Sequence, residues 1–179
     1  MRKEWNTVDI LRHARHDWLN KIQLIKGNLD LNKTDRVKQL IEEIVFEAQQ
    51  EAKLSNLKIP LFATLILTGN WQSYAYQLEY EVFDEKEVLA VDDSLLADWT
   101  NLFFTTLHTS VEAFGDNHLS VTIETQKNGI RFFFDFSGII KDKDKLQQFL
   151  DFNLIQTAMI KVLEFSQQEL ALEVFMPFQ

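Results

Sequence analysis

The first 57 residues contain no proline and only one glycine, and this composition favours long, uninterrupted helices. Apolar residues recur there at alternating steps of three and four, which is the spacing of one face of a helix. A first series, interrupted only by Arg15, comprises Val8, Leu11, Trp18, Ile22, Ile25 and Leu29. A second series comprises Val37, Ile41, Ile44, Ala48 and Ser55. Two amphipathic helices are therefore predicted.

The ends of these helices carry residues that favour helix termini. Asn6 or Thr7 can cap the first helix, Thr34 can cap the second, and residues 30–33 form the turn between them. The glycine, Gly27, is expected to end or interrupt the first helix. So short a turn makes the helices antiparallel. A lone hairpin cannot bury both apolar series, and the near-heptad spacing favours packing against a second copy over packing against the rest of the chain.

The composition changes after Leu57, where Pro60 interrupts the helical pattern and aromatic and β-branched residues become frequent. We expect a helix over 61–67, a strand over 76–83 and a long helix over 92–114. Strand pairs are expected over 118–126 with 130–137 and over 158–165 with 169–175, separated by a loop rich in Lys and Asp. An α+β fold is predicted, with a helical hairpin at 1–58 and helices on one face of a mixed sheet at 59–179.

Composition and charge exclude several classes of function. The net charge of −9, from 18 Lys and Arg against 27 Asp and Glu, argues against a general nucleic-acid binder. The absence of cysteine excludes disulfides and thiol catalysis. No window has the roughly 20 apolar residues of a membrane span, and the start of the chain lacks the apolar core of a signal peptide, so a cytoplasmic protein is expected. The five glycines are too far apart to form a loop around nucleotide phosphates.

Four histidines are candidates for chemistry. His108 lies in the predicted helix over 92–114 and His118 begins a strand, and both are expected to be ordinary polar residues. His13 and His16 are one helical turn apart, which would allow them to bind a metal ion together. No third ligand is evident beside them, so metal binding is the less favoured interpretation.

The region around His16 has the pattern of an exposed, nucleophilic imidazole. The apolar series of the first helix leaves His13, His16, Asp17 and Asn20 facing water. Arg12 and Asn20 lie one helical turn from His16 and flank it. An exposed imidazole is largely neutral near pH 7 and offers a nitrogen lone pair to an electrophile. The residues alone leave two interpretations open: a nucleophilic His16, or two surface histidines without a role.

The run from His13 to Leu29, with His16-Asp17-Trp18-Leu19-Asn20 at its centre, resembles the phosphoacceptor helix of the sporulation initiation phosphotransferase B family. Shorter matches follow at 35–37, 41–43, 55–58, 70–71 and 78–82. The resemblance implies a dimeric four-helix bundle followed by an α/β-sandwich domain similar to a histidine-kinase ATP-binding domain. It also implies that His16 takes phosphate from the aspartyl-phosphate of one response regulator and passes it to the aspartate of another, without ATP.

The nucleotide motifs of a histidine kinase are degenerate in this chain. In the stretch 106–113, Thr109 stands where the kinase has the asparagine that holds magnesium. The kinase loop Asp-x-Gly-x-Gly is reduced to Asp135–Ile139 with the single Gly138, and no glycine follows it. The chain is therefore not expected to bind ATP.

These observations predict a cytoplasmic phosphotransferase of a sporulation phosphorelay that pairs with a second copy and with response-regulator receiver domains. Arg12, Asp17 and Asn20 are candidate supporting residues for His16, and Asp17 either orients His16 or pairs with Lys21. His13 and Gln23 are candidate partner-binding residues. No intrinsic cofactor is expected, and magnesium is expected in the receiver; nucleic acid and membrane are not expected partners. A divergent histidine autokinase and a non-catalytic dimeric scaffold for a response regulator are the alternatives.

Overall fold

The computed structural model of the chain describes residues 5–83, 90–152 and 158–179. The chain divides into two compact units, Met1–Ala52 and Lys53–Gln179. Among the helices of the described residues, none is both long enough and apolar enough to cross a membrane.

The first unit is formed by the two predicted helices, α1 (Thr7–Asp30) and most of α2 (Thr34–Asn56). Asn6 caps α1, because its side chain accepts a hydrogen bond of 2.9 Å from the backbone N–H of Asp9. At the other end, Asn32 has a φ of 56°, and the N–H groups of Asn32 and Lys33 donate to the carbonyls of Leu29 and Asn28, both at 2.9 Å. This is a Schellman turn, in which asparagine takes the left-handed position that glycine usually occupies.

The expectation that Gly27 ends or interrupts α1 was wrong. Gly27 lies inside the helix, and its carbonyl accepts a hydrogen bond of 3.2 Å from the N–H of Leu31. A Cβ atom added at Gly27 would meet no atom within 4 Å, so neither close packing nor backbone geometry within the chain requires glycine there. The helix ends three residues later, at Asp30, where the Schellman turn at Asn32 closes it.

We expect Gly27→Ala to stabilise the first unit by about 1 kcal/mol, since alanine exceeds glycine in helix propensity by that amount. Thermal unfolding followed by circular dichroism measures the change. Gly129→Ala is the matched control and should lower the unfolding temperature, because a Cβ at that position would lie 2.2 Å from the Met176 carbonyl oxygen. An unchanged or lower unfolding temperature for Gly27→Ala would contradict the prediction.

Within its described residues, the second unit combines a five-stranded mixed sheet with the helices α3, α4 and α5. Along the chain its elements are α3 (Pro60–Leu67), a 3-10 turn (Gly69–Gln72), β1 (Gln77–Phe83), α4 (Asp93–Ser110), β2 (His118–Gln126), β3 (Gly129–Ser137), α5 (Lys143–Asp151), β4 (Met159–Phe165) and β5 (Glu169–Pro177). The strand order is β1-β2-β3-β5-β4, with β1 and β2 parallel and the other neighbours antiparallel.

One face of this sheet carries the core of the unit. Alternate residues of β2, β3 and β5 are fully buried, and they pack with aromatic residues of α4, of which Trp99, Phe103 and Phe104 contact Phe134. Helix α4 packs between α3 and α5. The predicted α+β fold, with helices on one face of a mixed sheet, is confirmed.

Two predicted elements of the second unit differ from the structure. The long helix ends at Ser110 and not at 114, because the Ser110 carbonyl accepts hydrogen bonds from the N–H groups of Lys141 and Asp142 at 2.8 and 3.0 Å. Val111 then forms a bridge with Ile140. The expected loop rich in Lys and Asp contains helix α5, which Asp142 caps by accepting from the Lys145 N–H at 3.0 Å.

Asn117 connects three segments of the second unit from a buried position, where it is 3% exposed. Its side-chain amide donates to the carbonyls of Ala75 and Glu112, both at 2.7 Å, and accepts from the N–H of Ile139 at 3.0 Å. Gly138 packs against it, since a Cβ there would lie 2.2 Å from the Asn117 Oδ1 atom. The one glycine of the degenerate loop therefore has a packing role inside the unit.

Candidate functional site

Helix α1 has an inner face that is turned toward α2. Most of its partly buried residues recur at steps of three and four: Ile10, Ala14, Asp17, Lys21, Ile25 and Asn28. The Lys21 ammonium group forms an ion pair with the Glu47 carboxylate of α2, which fixes the direction of this face. Lys21 also lies over the ring of Trp18, with its nitrogen 5.6 Å from the ring centroid. No residue of α1 is fully buried.

A second face of α1 is apolar and exposed. The residues of the first predicted apolar series, apart from Ile25, are between 51 and 65% exposed: Val8, Leu11, Trp18, Ile22 and Leu29. Of this series, only Ile25 therefore lies on the face turned toward α2. On α2, Ile41 and Val45 are also about half exposed, at 47 and 49%. The hairpin by itself leaves a large apolar surface without cover, which is typical of an interaction site.

The third face of α1 is polar, and His16 lies at its centre. With about 100° between successive residues, Arg12, Asn20 and Gln23 lie within roughly 40° of His16 around the helix axis. All four residues are exposed, and the His16 side chain is 72% exposed. The structure thus places His16 and Asn20 toward water as predicted. His13 and Asp17, which were expected to face water fully, are only partly exposed because they lie nearer the inner face.

The contacts of His16 all involve one ring nitrogen. Its Nδ1 atom lies 3.4 Å from Asp17 Oδ1 and 3.3 Å from Asn20 Nδ2. The Asp17 carboxylate can only accept, so it favours the tautomer with the proton on Nδ1. The Asn20 amide can turn its oxygen to the same nitrogen, because the two ends of an amide are interchangeable by rotation. Both neighbours then leave the lone pair on Nε2, for which no hydrogen bond is seen within the described residues.

Of the candidate supporting residues Asp17 and Arg12, only Asp17 contacts the His16 ring in the structure. Asp17 contacts the His16 ring, while Lys21, its other predicted partner, pairs with Glu47. Arg12 was expected to flank His16, and it shares the face of His16, but its guanidinium group donates to Asp9 Oδ1 at 3.0 Å. Asp9 was not singled out from the sequence, although a carboxylate three residues before an arginine on a helix is a recognisable pairing signal.

The remaining candidate residues have more ordinary surroundings. His13 packs edge-on against Trp5, with ring centroids 5.1 Å apart, and Gln23 is exposed on the polar face. His108 Nδ1 accepts a hydrogen bond from the Ala75 N–H at 3.0 Å, and His118 Nε2 lies 2.8 Å from Asp116 Oδ1. These contacts agree with the expectation that His108 and His118 are ordinary polar residues.

Comparison with known proteins assigns both parts of the chain. Residues 1–57 match the alpha-helical domain of the SpoOB-type sensor kinase family, and residues 58–177 match the C-terminal domain of sporulation initiation phosphotransferase B. The chain belongs to the sporulation initiation phosphotransferase B family. Sporulation initiation phosphotransferase B of Bacillus subtilis (strain 168) is 43% identical over 137 residues, which are 75% of this chain and 71% of that protein. The family resemblance inferred from the His16 motif is confirmed.

Solved histidine kinases are similar to this phosphotransferase family member at lower identity. The catalytic domain of histidine kinase ThkA is 14% identical, with a TM-score of 0.49 over 68% of this chain and 92% of that one. ThkA in complex with the response regulator TrrA is 16% identical, with a TM-score of 0.47 over 96% and 61%. Histidine kinase AdeS of Acinetobacter baumannii is 9% identical, with a TM-score of 0.48 over 91% and 98%.

In this member of the phosphotransferase B family, the segments around Thr109 and Gly138, which the sequence led us to interpret as degenerate nucleotide motifs, take part in internal contacts. The one proton of the Thr109 hydroxyl is shared between the Thr105 and Thr106 carbonyls, and Thr109 Oγ1 accepts from Lys145 Nζ at 2.8 Å. The N–H groups of Gly138 and Ile140 donate to the carbonyls of Gln168 and Gln167, both at 2.9 Å. Beside them, Ser137, Ile139 and Glu169 line an open cavity of about 240 Å³.

Proposed function

We propose that the chain is a cytoplasmic phosphorelay phosphotransferase that acts in the initiation of sporulation. It accepts a phosphoryl group on His16 from the aspartyl-phosphate of one response regulator and passes it to the aspartate of a second. One observation carries this proposal: in a chain of the phosphotransferase B family, His16 lies at the centre of an exposed helix face with Nδ1 contacted and Nε2 open. An open ring nitrogen on a rigid helix suits in-line attack on a phosphorus atom.

The transfer step follows from the tautomer that Asp17 favours. The Nε2 lone pair of neutral His16 forms a bond to phosphorus, the bond from phosphorus to the donor carboxylate oxygen breaks, and its electron pair stays on that carboxylate. The proton on Nδ1 remains in place, so the phosphorylated ring carries a positive charge. The Asp17 carboxylate, 3.4 Å from Nδ1, stabilises that charge. Because the reverse step uses the same groups, the phosphoryl group can leave to a second aspartate.

The remaining charge stabilisation comes from the partner in this proposal. The described residues contain no group of three or more His, Cys, Asp or Glu side chains that could hold a metal ion. The proposal places magnesium in the receiver domain, where it would neutralise phosphoryl oxygens. On this chain, Asn20 orients the imidazole and Arg12 is available to the phosphoryl group once it has arrived.

The exposed apolar face supports a homodimer. Val8, Leu11, Trp18, Ile22 and Leu29 lie along about 30 Å of α1, given a rise of about 1.5 Å per residue. A second copy of the hairpin covers this series with its own and completes a four-helix bundle. His16 lies on a different face of α1, so dimerisation leaves it accessible.

The direct test of the proposal is incubation of the purified chain with a phosphorylated receiver domain and no nucleotide. We expect the chain to acquire phosphate that is labile in acid and stable in alkali, which is the signature of phosphohistidine. The label should then pass to a second, unphosphorylated receiver domain. Absence of any label on the chain would contradict the proposed function.

The main alternative is a divergent autokinase, and nucleotide binding separates it from a phosphotransferase. We expect calorimetric titration with Mg-ATP to give no saturable heat, because the chain has no glycine after Gly138 to close a loop over phosphates and Thr109 is held by Lys145. Titration of a histidine kinase that binds ATP serves as the positive control. Saturable binding at micromolar ATP would favour the autokinase.

A further inference from the structure

The inference concerns Asp9, which lies on the polar face of α1 between the helix cap and Arg12. Its Oδ1 atom accepts from Arg12 Nη1 at 3.0 Å, and its Oδ2 atom accepts from the side-chain amide of Asn6. The side chains of Asp9 and Arg12 are 31% and 65% exposed, so Asp9 is the more firmly held of the two. Arg12 is thus the more exposed partner of an ion pair whose acid is also hydrogen-bonded to the Asn6 cap.

Arg12 has two positions within reach on the same face of α1. Asp9 lies three residues before it and His16 four residues after it, and both spacings bring side chains together on a helix. In the structure, the guanidinium group is paired with Asp9, and the contacts of His16 are with Asp17 and Asn20. A phosphoryl group on His16 would add three strong acceptor oxygens and a charge near −2 beside Arg12. Arginine binds phosphate through two parallel hydrogen bonds, and this favours a change of partner for Arg12 from Asp9 to the phosphoryl group.

We propose that Asp9 is a positioning residue that competes with the phosphoryl group on His16 for Arg12. This proposal rests on the proposed function, since it assumes phosphorylation of His16. In the unphosphorylated protein Asp9 holds Arg12 away from the imidazole. After transfer, Arg12 moves to the phosphoryl oxygens, and the attraction of Asp9 for Arg12 opposes that movement. Asp9 therefore lowers the stability of the phosphohistidine and favours onward transfer.

The size of the expected effect on phosphohistidine stability follows from the exposure of the Asp9–Arg12 ion pair. A surface ion pair between arginine and a carboxylate is weak, so its loss changes an equilibrium by roughly two- to fivefold. An intermediate that must release its phosphoryl group is suited to a contact of this size, because a stronger hold by Arg12 would keep the phosphate on the chain. The Asn6 side chain also accepts a hydrogen bond from the backbone N–H of Asp9. That bond stays in place when only the Asp9 side chain is changed.

The test is a double-mutant cycle on the lifetime of phosphohistidine in the full chain. The chain is phosphorylated with potassium phosphoramidate, the donor is removed, and the loss of phosphohistidine is followed by ³¹P NMR. We expect Asp9→Asn to lengthen the half-life roughly two- to fivefold, the range of a surface ion pair. Arg12→Ala should shorten it, Asp9→Glu should leave it close to wild type, and Asp9→Asn in the Arg12→Ala background should have no further effect.

The possible outcomes separate this proposal from the proposed function. Phosphohistidine in the wild type that His16→Ala removes supports the phosphoacceptor role, whatever Asp9 does. An unchanged or shorter half-life for Asp9→Asn then overturns the role of Asp9 alone, as does an effect of Asp9→Asn that persists without Arg12. If the wild type forms no phosphohistidine, both proposals fail. Because a purely structural role of Asp9 would not depend on Arg12, circular dichroism of all variants together with the cycle distinguishes it.

Discussion

His16→Ala is expected to abolish transfer of phosphate from a phosphorylated receiver domain to the chain, with a loss beyond the detection limit of the assay. The reason is chemical: the methyl side chain of alanine offers no lone pair to phosphorus, and the ring of the neighbouring His13 packs against Trp5. Because the His16 side chain is 72% exposed, its removal should cost less than about 0.5 kcal/mol of stability. The variant should therefore fold and should sediment as the wild type does.

His13→Ala is the matched control, because it removes a histidine one turn away on the same helix. The His13 ring packs on Trp5, so this variant should retain most of the transfer activity and lose only that contact. Labelling with a phosphorylated receiver, run on both variants in parallel, measures the difference. If His13→Ala were the inactive variant, the assignment of His16 would be wrong. If His16→Ala still altered the signalling of a bound receiver without carrying phosphate, the scaffold interpretation would gain support.

The elements that the sequence predicts best are those whose signal is local and repeated. The helical hairpin follows from the period of its apolar series, and the strand pair β2–β3 follows from alternation on both sides of a short turn. Helix α5 was missed because only Leu146 and Phe149 are buried among its nine residues and the rest resemble a charged loop. The end of α4 was misplaced because it depends on Lys141 and Asp142, some 30 residues away along the chain.

The candidate site shows the same division between local and non-local information. Helical period alone places His16 and Asn20 on an exposed face, and the structure agrees. It does not determine the partner of Arg12, because spacings of three and four residues are equally favourable on a helix. The choice of Asp9 depends on the additional contact between Asp9 and the Asn6 cap. The pattern of residue types and spacings in the sequence therefore locates the polar face of α1. The pairing of the charged side chains on that face is seen only in the structure.

Asn117→Ala is expected to destabilise the second unit by about 3–5 kcal/mol, the largest effect on stability that we predict. Alanine would leave the carbonyls of Ala75 and Glu112 and the N–H of Ile139 without the partners that Asn117 supplies at 2.7, 2.7 and 3.0 Å. Each buried polar group left without a partner costs about 1–3 kcal/mol. A loss of that size is a large part of the 5–15 kcal/mol that typically stabilises a domain.

Asn70→Ala provides the control. Asn70 also makes side-chain hydrogen bonds to backbone, with Leu78 of β1 at 2.8 and 2.9 Å, but it is an exposed residue of the 3-10 turn. Water can replace those bonds, so this variant should lose no more than about 1 kcal/mol. Urea unfolding of both variants is followed by tryptophan fluorescence in a Trp5→Phe, Trp18→Phe background. The two tryptophans that remain, Trp71 and Trp99, both belong to the second unit, and Trp99 is 2% exposed. Equal losses for the two asparagines would show that burial is not what makes Asn117 important, because the two side chains bond the same kinds of backbone group and differ chiefly in access to water.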